Sequence, residues 1–574
     1  MPYTFARSPA PIDKSKNTPG VDTSDIITRR RIQTIGSFVC TNGVLGSTKK
    51  AMQAAKGGNY ILALTLNSGS GCTQPIIVPT QIAMRELSSD SNSQDIFIAQ
   101  YTSTGSVNWI ARIAGALTDS GFGISTDSSG NIIVTGYYDS NPLTVYDKYG
   151  TPFASTLTNT DSGTVNIFIV QYSSTGSVNW VAQISGSGTD VGLSVSTDSA
   201  GNIIVTGYYS SNPLTFYNKN NGTAFATTLA NSGGNDGFIA QYSSAGNVNW
   251  VAQIAGGGYD GGKCISTDSS GNIIVTGNYN TGPLTFYNKN NGTAFASTLA
   301  NSGINDIFIA QYSSAGNVNW VTQIAGTLTD TPSAVCTDSA GNINVTGYYA
   351  SSSLTFYNKN NGTAFASTLA NSGSNDVFIA QYSSAGNVNW VAQIAGSAGE
   401  SETAITTDST GNINVTGTYD STTLTCYNKN NGTAFASTLA NSGSNDVFIA
   451  QYSSAGNVNW VARIGSGGYD AGKGISTDSN GKINIIGTYN SGPLTFYNKN
   501  NGTAFASTLA NSGSTDTFIA QYSSTGDVTW VAQVGGTAAD TGSGISTDST
   551  GKINVIGYYS SSPLKFYDKN GNQF

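Results

Sequence analysis

The stretches FIAQYSSAGNVNWVAQI, from Phe378 to Ile394, and AITTDSTGNINVTGTY, from Ala404 to Tyr419, decide the fold between them. In the first, FIAQY and VNWVAQI flank Ser-Ser-Ala-Gly-Asn, so two short apolar runs of strand type are joined by residues that accept the positive φ of a hairpin turn. In the second, AITTD turns through Ser409, Thr410, Gly411 and Asn412 into INVTGTY, where β-branched residues suit a pleated surface. Each such unit offers two hairpins. A lone hairpin cannot bury its apolar face, so the units must pack on their neighbours.

The same pattern recurs along the chain. All seven tryptophans, Trp109, Trp180, Trp250, Trp320, Trp390, Trp460 and Trp530, occupy the same place, in VNW six times and in VTW at Trp530, spaced by 71 residues once and by 70 thereafter. Seven marks mean seven units, and the predicted architecture is all-β: a seven-bladed β-propeller of four-stranded blades. The array begins with FIAQY and VNWIARI, Phe97 to Ile113, and finishes with GISTD and KINVIGYY, Gly544 to Tyr559. If GISTD is innermost and the Trp strand outermost, the two ends share one blade and clasp the ring shut. Between units stands an insertion, LTFYNKNNGTAFASTLANSGS, which reads as a hairpin with Asn-Asn-Gly at its tip, projecting from one face of the ring. The last copy stops at LKFYDKNGNQF, which predicts six full hairpins and one stub.

The pattern FIAQYSSAGNVNW, a Gly-Asp link and ISTDSSGNIIVTG resembles the bacterial and archaeal seven-bladed propeller repeat family, over roughly Asp95 to Tyr559. The resemblance implies the fold and no chemistry, and the long, nearly invariant insertion departs from it. The chain divides into a basic tail expected to be disordered over 1–28, a small docking segment over 29–94 and the propeller over 95–574. Within the segment, Gly36 to Leu45 and Tyr60 to Leu66 read as strands and Lys49 to Lys56 as a short helix.

Charge is sparse, at 10% of residues, and the net −8 gives no electrostatic footprint for nucleic acid. It is also uneven: Met1 to Asp90 carries +5, including Arg29, Arg30 and Arg31, and the rest −13. A solvated stretch is the ordinary reading of that head, and contact with an acidic partner the functional one. The opening residues lack a signal-peptide core, and no run of eighteen apolar residues occurs, so neither classical secretion nor a membrane span is expected. Localisation is left open. Cys40, Cys72, Cys264, Cys336 and Cys426 have no metal-ligand spacing, and the last three read as small buried hydrophobes.

Three recurring residue series are candidates. The tryptophans read as packing between blades, against the alternative of exposed platforms for sugars. A carboxylate series, Asp119, Asp190, Asp260, Asp330, Glu400, Asp470 and Asp540, falls four residues before the innermost strand, which would ring one mouth of the central channel. Such a ring could hold Ca²⁺ by its oxygens, whereas the plainer reading is an Asp bonding nearby backbone N–H groups. Asp127, Asp198, Asp268, Asp338, Asp408, Asp478 and Asp548 each open the turn before Gly-Asn, with Gly-Lys in the last two copies, and read as turn residues. Asn221, Asn291, Asn361, Asn431 and Asn501, with Asn344 and Asn414, head N-x-T triplets; the first five read as tight-turn residues and the last two fall inside strands.

The chain contains no histidine, which removes the commonest general base, and near-identical units offer no pair of carboxyls in different environments. The expected function is therefore non-enzymatic: a structural or surface scaffold engaging a protein partner through the N-terminal segment or the decorated face, in a virus particle or at a cell exterior. The alternative is a multivalent glycan-binding propeller gaining strength by avidity, and a carboxylate-based glycan-active enzyme ranks behind both. The Arg-Arg-Arg head and the Asn-rich, histidine-free composition resemble proteins of large DNA viruses.

Overall fold

The computed structural model describes residues 48–54, 60–66, 84–89, 93–159, 161 and 163–574. The expected tail over 1–28, the strand over Gly36 to Leu45, Arg29 to Arg31, Cys40 and Cys72 lie outside them. In the N-terminal unit, Thr48–Ala54 pairs antiparallel with Tyr60–Leu66, Met52 standing opposite Leu62. The helix expected over Lys49 to Lys56 is thus a strand. Helix propensity in Lys, Ala, Met and Gln is a weak prior, and an apolar strand partner a few residues away outweighs it.

From Arg85 onward the described chain is an all-β ring of seven blades, with no helix among the described residues. One blade shows the plan. Its strands run Asp260–Thr267, Ile273–Tyr279, Asp306–Tyr312 and Val318–Ala325, each antiparallel to the next. The first two come from one sequence unit and the last two from the following one, so every blade is built across a unit boundary. The strands equivalent to Asp260–Thr267 are innermost: each neighbours its counterparts in the adjacent blades, and Asp540–Thr547 returns to Asp119–Thr126 to close the circle. Hydroxyl contacts around the axis follow the same closure, Thr126 Oγ1 lying 2.7 Å from Ser546 Oγ and Ser125 Oγ 3.2 Å from Thr197 Oγ1.

The seam is the expected shared blade. Ile553–Tyr559 pairs with Asp95–Tyr101, which pairs with Val107–Ala114, so two strands from each end make one sheet. The insertion also forms its hairpin, with Leu214 opposite Leu229, Tyr217 opposite Ala224, and Asn220 and Asn221 at φ 57° and 54° in the tip. The hairpin does not stand free of the ring. Thr215–Phe216 pairs with the outer edge of Val178–Ser185 as a fifth strand, because an uncovered Trp strand would leave a row of unpaired backbone groups. At the tip, Lys219 N donates to Gly246 O of the next blade over 2.7 Å, so each insertion ties two blades together at the rim.

Between blades lie the hydrophobic layers. Trp320, Tyr349, Phe356, Phe378 and Tyr382 share one such cluster, each buried. The seven tryptophans are 2–5% exposed. Trp180 lies against the positive-φ Gly246 (φ 81°) of the adjacent blade, where a Cβ would come within 2.7 Å of the indole, and its Nε1 donates to Ser244 O over 3.2 Å. Only a residue without a Cβ both takes that φ and leaves room for the ring.

Candidate functional site

Antiparallel order gives the ring two faces. One holds the turns inside each hairpin and is nearly the same in every blade. Here Asp127 Oδ1 accepts from the N–H groups of Ser129 (2.9 Å) and Asn131 (2.8 Å), and Oδ2 from Asn131 Nδ2. Asp198, Asp268, Asp338 and Asp408 repeat this set. Asp478 and Asp548 keep the backbone part and lose the asparagine amide, since Lys482 and Lys552 replace the asparagine; Asp548 also accepts from Thr550 Oγ1 at 2.7 Å. All seven carboxylates are spent on local N–H groups.

The other face holds the links from each Trp strand to the next innermost strand. Here stand Asp119, Asp190, Asp260, Asp330, Glu400, Asp470 and Asp540, each the first residue of its innermost strand and each 0–1% exposed. They do not converge on the channel. Asp119, Asp190, Asp330 and Asp540 accept from the hydroxyls of Ser140 (2.8 Å), Ser211 (2.6 Å), Ser351 (2.8 Å) and Ser561 (2.7 Å), latching the link to the end of the second strand. Glu400 does the same with Ser421, and Asp470 takes Ser466 Oγ over 2.9 Å. Among the described residues no group of three or more His, Cys, Asp or Glu could hold a metal ion. The strand begins earlier than the sequence suggests, so these acids are buried inside a blade instead of lying in a free loop, and Asp260 has both carboxylate oxygens without a hydrogen-bond partner among the described residues.

Sequence reasoning missed a second buried acid in most blades. Asp95, Asp236, Asp306, Asp376, Asp446 and Asp516 open the third strands, with Asn166 in the equivalent place, and all are buried. Asp236 Oδ2 accepts from Ser232 N (2.7 Å) and Gln253 Nε2 (2.8 Å); Asp446 instead pairs with Arg463 at 3.2 Å. Each lies beside the latch acid of the following link. Burial raises the carboxyls throughout, Asp119, Asp190, Asp260 and Asp470 to about 7 and Asp306, Asp330 and Asp540 to about 6. Asp376 and Glu400 are neighbouring buried acids, and burial together with the adjacent Asp376 charge raises Glu400 above the ordinary carboxylate range. The signal for this series was the acid that precedes the FIAQY run in six of the seven units, hidden by its resemblance to turn chemistry.

The channel itself is where the blades differ. Six innermost strands carry a one-residue β-bulge after the third residue, as between Gly192 and Ser194 or Gly472 and Gly474, and Glu400–Thr407 carries a two-residue bulge between Ser401 and Ala404. A bulge leaves one residue unpaired and re-aims it. The bulge residues are Phe122, Leu193, Lys263, Ser333, Thr403 with Glu402, Lys473 and Ser543, and all line a central cavity of about 540 Å³. The flanking glycines of Gly472-Lys473-Gly474 and Gly542-Ser543-Gly544 were the sequence mark of the bulge. On the same face as the links, Leu117, Tyr259, Ile304, Leu328 and Tyr469 stand 36–61% exposed, and these are the exposed large hydrophobic residues of the described chain.

Cys426 is buried, and Cys264 and Cys336 partly so, all as free thiols. Asn344 and Asn414 lie within strands, where their Oδ1 atoms accept from Gln381 (3.1 Å) and Gln451 (2.9 Å).

Seven blades, a clasped seam and a lined central channel define a β-propeller built from sequence repeats. A protein of Acanthamoeba polyphaga mimivirus, described as an uncharacterized WD repeat-containing protein, is 30% identical to this chain over 473 residues, 75% of the chain and 34% of the relative. The chain thus spans about a third of the length of that relative. No family model matches. Among solved structures, a protein of unknown function from Bacteroides caccae matches at 11% identity and TM-score 0.23, over 52% of this chain and 94% of that one. A rhamnogalacturonan lyase matches at 11% identity and TM-score 0.23, over 83% of this chain and 90% of the other. At that similarity neither carries an argument about function.

Proposed function

We propose that the protein is a non-enzymatic scaffold that binds a protein partner on the link face of its propeller. The observation that carries this reading is the segregation of exposed apolar residues. Leu117, Tyr259, Ile304, Leu328 and Tyr469 all stand on link-face loops, and the face of tight Asp turns has none of them. Apolar and aromatic side chains held out from a rigid platform are the composition of an interface core, aromatic residues above all. The WD-repeat description of the mimivirus relative supports an interaction role.

The test is cross-linking of the full chain in its native source, comparing wild type with Tyr259→Ser/Ile304→Ser/Leu328→Ser. The partner captured by wild type is lost from the triple variant and kept by Asn249→Ala on the opposite face. Equal capture by all three overturns the reading. A glycan array on the same proteins separates the sugar-binding alternative: retention of a sugar by wild type that the triple variant does not weaken argues for repeated sites elsewhere.

A further inference from the structure

The seven innermost strands place apolar, hydroxyl, acidic and basic side chains around one cavity, while most of each unit is repeated nearly unchanged. Two units share a motif that the others lack: Gly257-Gly258-Tyr259-Asp260-Gly261-Gly262-Lys263 and Gly467-Gly468-Tyr469-Asp470-Ala471-Gly472-Lys473. Lying three units apart in a ring of seven, they set Lys263 and Lys473 on roughly opposite sides of the channel.

The two lysines are not equivalent. Lys473 Nζ lies 2.7 Å from Glu402 Oε2, which also accepts from Tyr469 OH at 3.1 Å, so its charge is matched within the protein. Glu402 reaches it from the doubled bulge of the preceding blade at φ 54°. Lys263 has no ion pair among the described residues, and burial lowers its ammonium below the ordinary lysine range. A half-buried cation without a counter-charge is costly, and an anion in the cavity relieves that cost. The next two blades back from Lys263 contribute Leu193 and Phe122 to the same wall, an apolar surface continuous with the cation. A cavity of about 540 Å³ falls within the ordinary range for small-molecule sites.

We propose that the central channel binds a small organic anion, its acidic group on Lys263 and its apolar body against Leu193 and Phe122. This goes beyond the scaffold reading and does not depend on it.

The experiment uses two fluorescent probes of similar body, 8-anilinonaphthalene-1-sulfonate, which is anionic, and N-phenyl-1-naphthylamine, which is neutral, titrated into the full chain. Lys263→Met weakens the anionic probe at least about tenfold, the loss of one charge-assisted contact of roughly 1.4 kcal/mol. The neutral probe is unchanged by that substitution. Lys263→Arg keeps the cation and restores binding, which separates charge from folding. Lys219→Met, at the rim, changes neither probe. If Lys263→Met leaves the anionic probe within twofold, or weakens both probes equally, the site is not there. Phe122→Ser weakens both probes; failure to weaken either removes the apolar half of the proposal.

Discussion

Leu87 lies opposite Leu564 in the register that Leu439 holds opposite Leu424 in an intact insertion hairpin. Glu86–Leu87 thereby supplies the second arm that the last hairpin lacks, and the outer layer of the ring is complete at the seam. Neighbouring contacts repeat those of the other blades. Tyr559 OH donates to Ser88 O at 3.2 Å as Tyr209 OH does to Ala230 O at 3.1 Å, and Lys569 N donates to Gly105 O at 2.9 Å. Arg85 stacks over Phe574 at 4.7 Å. The ring is therefore clasped twice, once in the middle of a blade and once at its edge.

Leu87 is 1% exposed, so Leu87→Ala removes a buried contact at the one place where the ring is not covalently continuous. A loss of about 2–5 kcal/mol is expected. Denaturant titration measures it, and hydrogen exchange should show Leu564–Phe566 and Asp95–Tyr101 opening before the other blades. Uniform protection across all blades would count against the seam as the weak point.

Trp390 is 3% exposed, with Nε1 donating to Ser454 O of the next blade at 3.2 Å. Trp390→Ala should cost about 3–5 kcal/mol. Gly456→Ala forces a Cβ to within 2.8 Å of the same indole at φ 82° and should be destabilising in its own right, with a double variant less costly than the two single losses together. Additive losses would mean the two residues do not share one contact.

The buried carboxyls set the pH response. Their folded-state values, about 6 to 7 for Asp119, Asp190, Asp260, Asp306, Asp330, Asp470 and Asp540, lie above the unfolded value near 4. The folded chain holds those protons more tightly. The resulting stabilisation is full below about pH 4 and is lost as pH rises through about 6 to 7. A higher Tm at pH 5 than at pH 8 is expected, with Asp260→Asn narrowing the difference. A Tm that is flat or rises over this interval contradicts it.

Two tyrosines of similar burial should respond differently to loss of the hydroxyl. Tyr382 OH is buried without a hydrogen-bond partner among the described residues, whereas Tyr279 OH donates to Ala300 O (3.1 Å) and meets Gln323 Oε1 (2.9 Å). Tyr382→Phe should leave stability unchanged or raise it slightly, and Tyr279→Phe should cost about 1 kcal/mol by leaving polar partners unpaired. Equal effects in calorimetry would show that the difference in pairing has no energetic weight.

Much of this architecture was legible in the chain because repetition amplifies weak local signals. One such tryptophan says little, but seven at intervals of 70 or 71 residues specify equal wedges, and the order of strand types at the two ends specifies the shared blade. The turn aspartates were equally legible, since a side chain that bonds N–H groups two and four residues on needs nothing from distant parts of the chain. Thr48–Ala54 was not legible as a strand, because its residues favour helix until a partner strand is present.

What the sequence alone determined is the count of blades, the alternation within them and the way the ends meet, all consequences of period and order. Tertiary structure decided where the distinctive side chains point. A one-residue bulge reverses which residues face the channel, and it carries Lys263, Phe122 and Leu193 to the axis while the latch acids turn into the blades. Strand alternation has a period of two, so the placement of one extra residue decides which face each side chain takes.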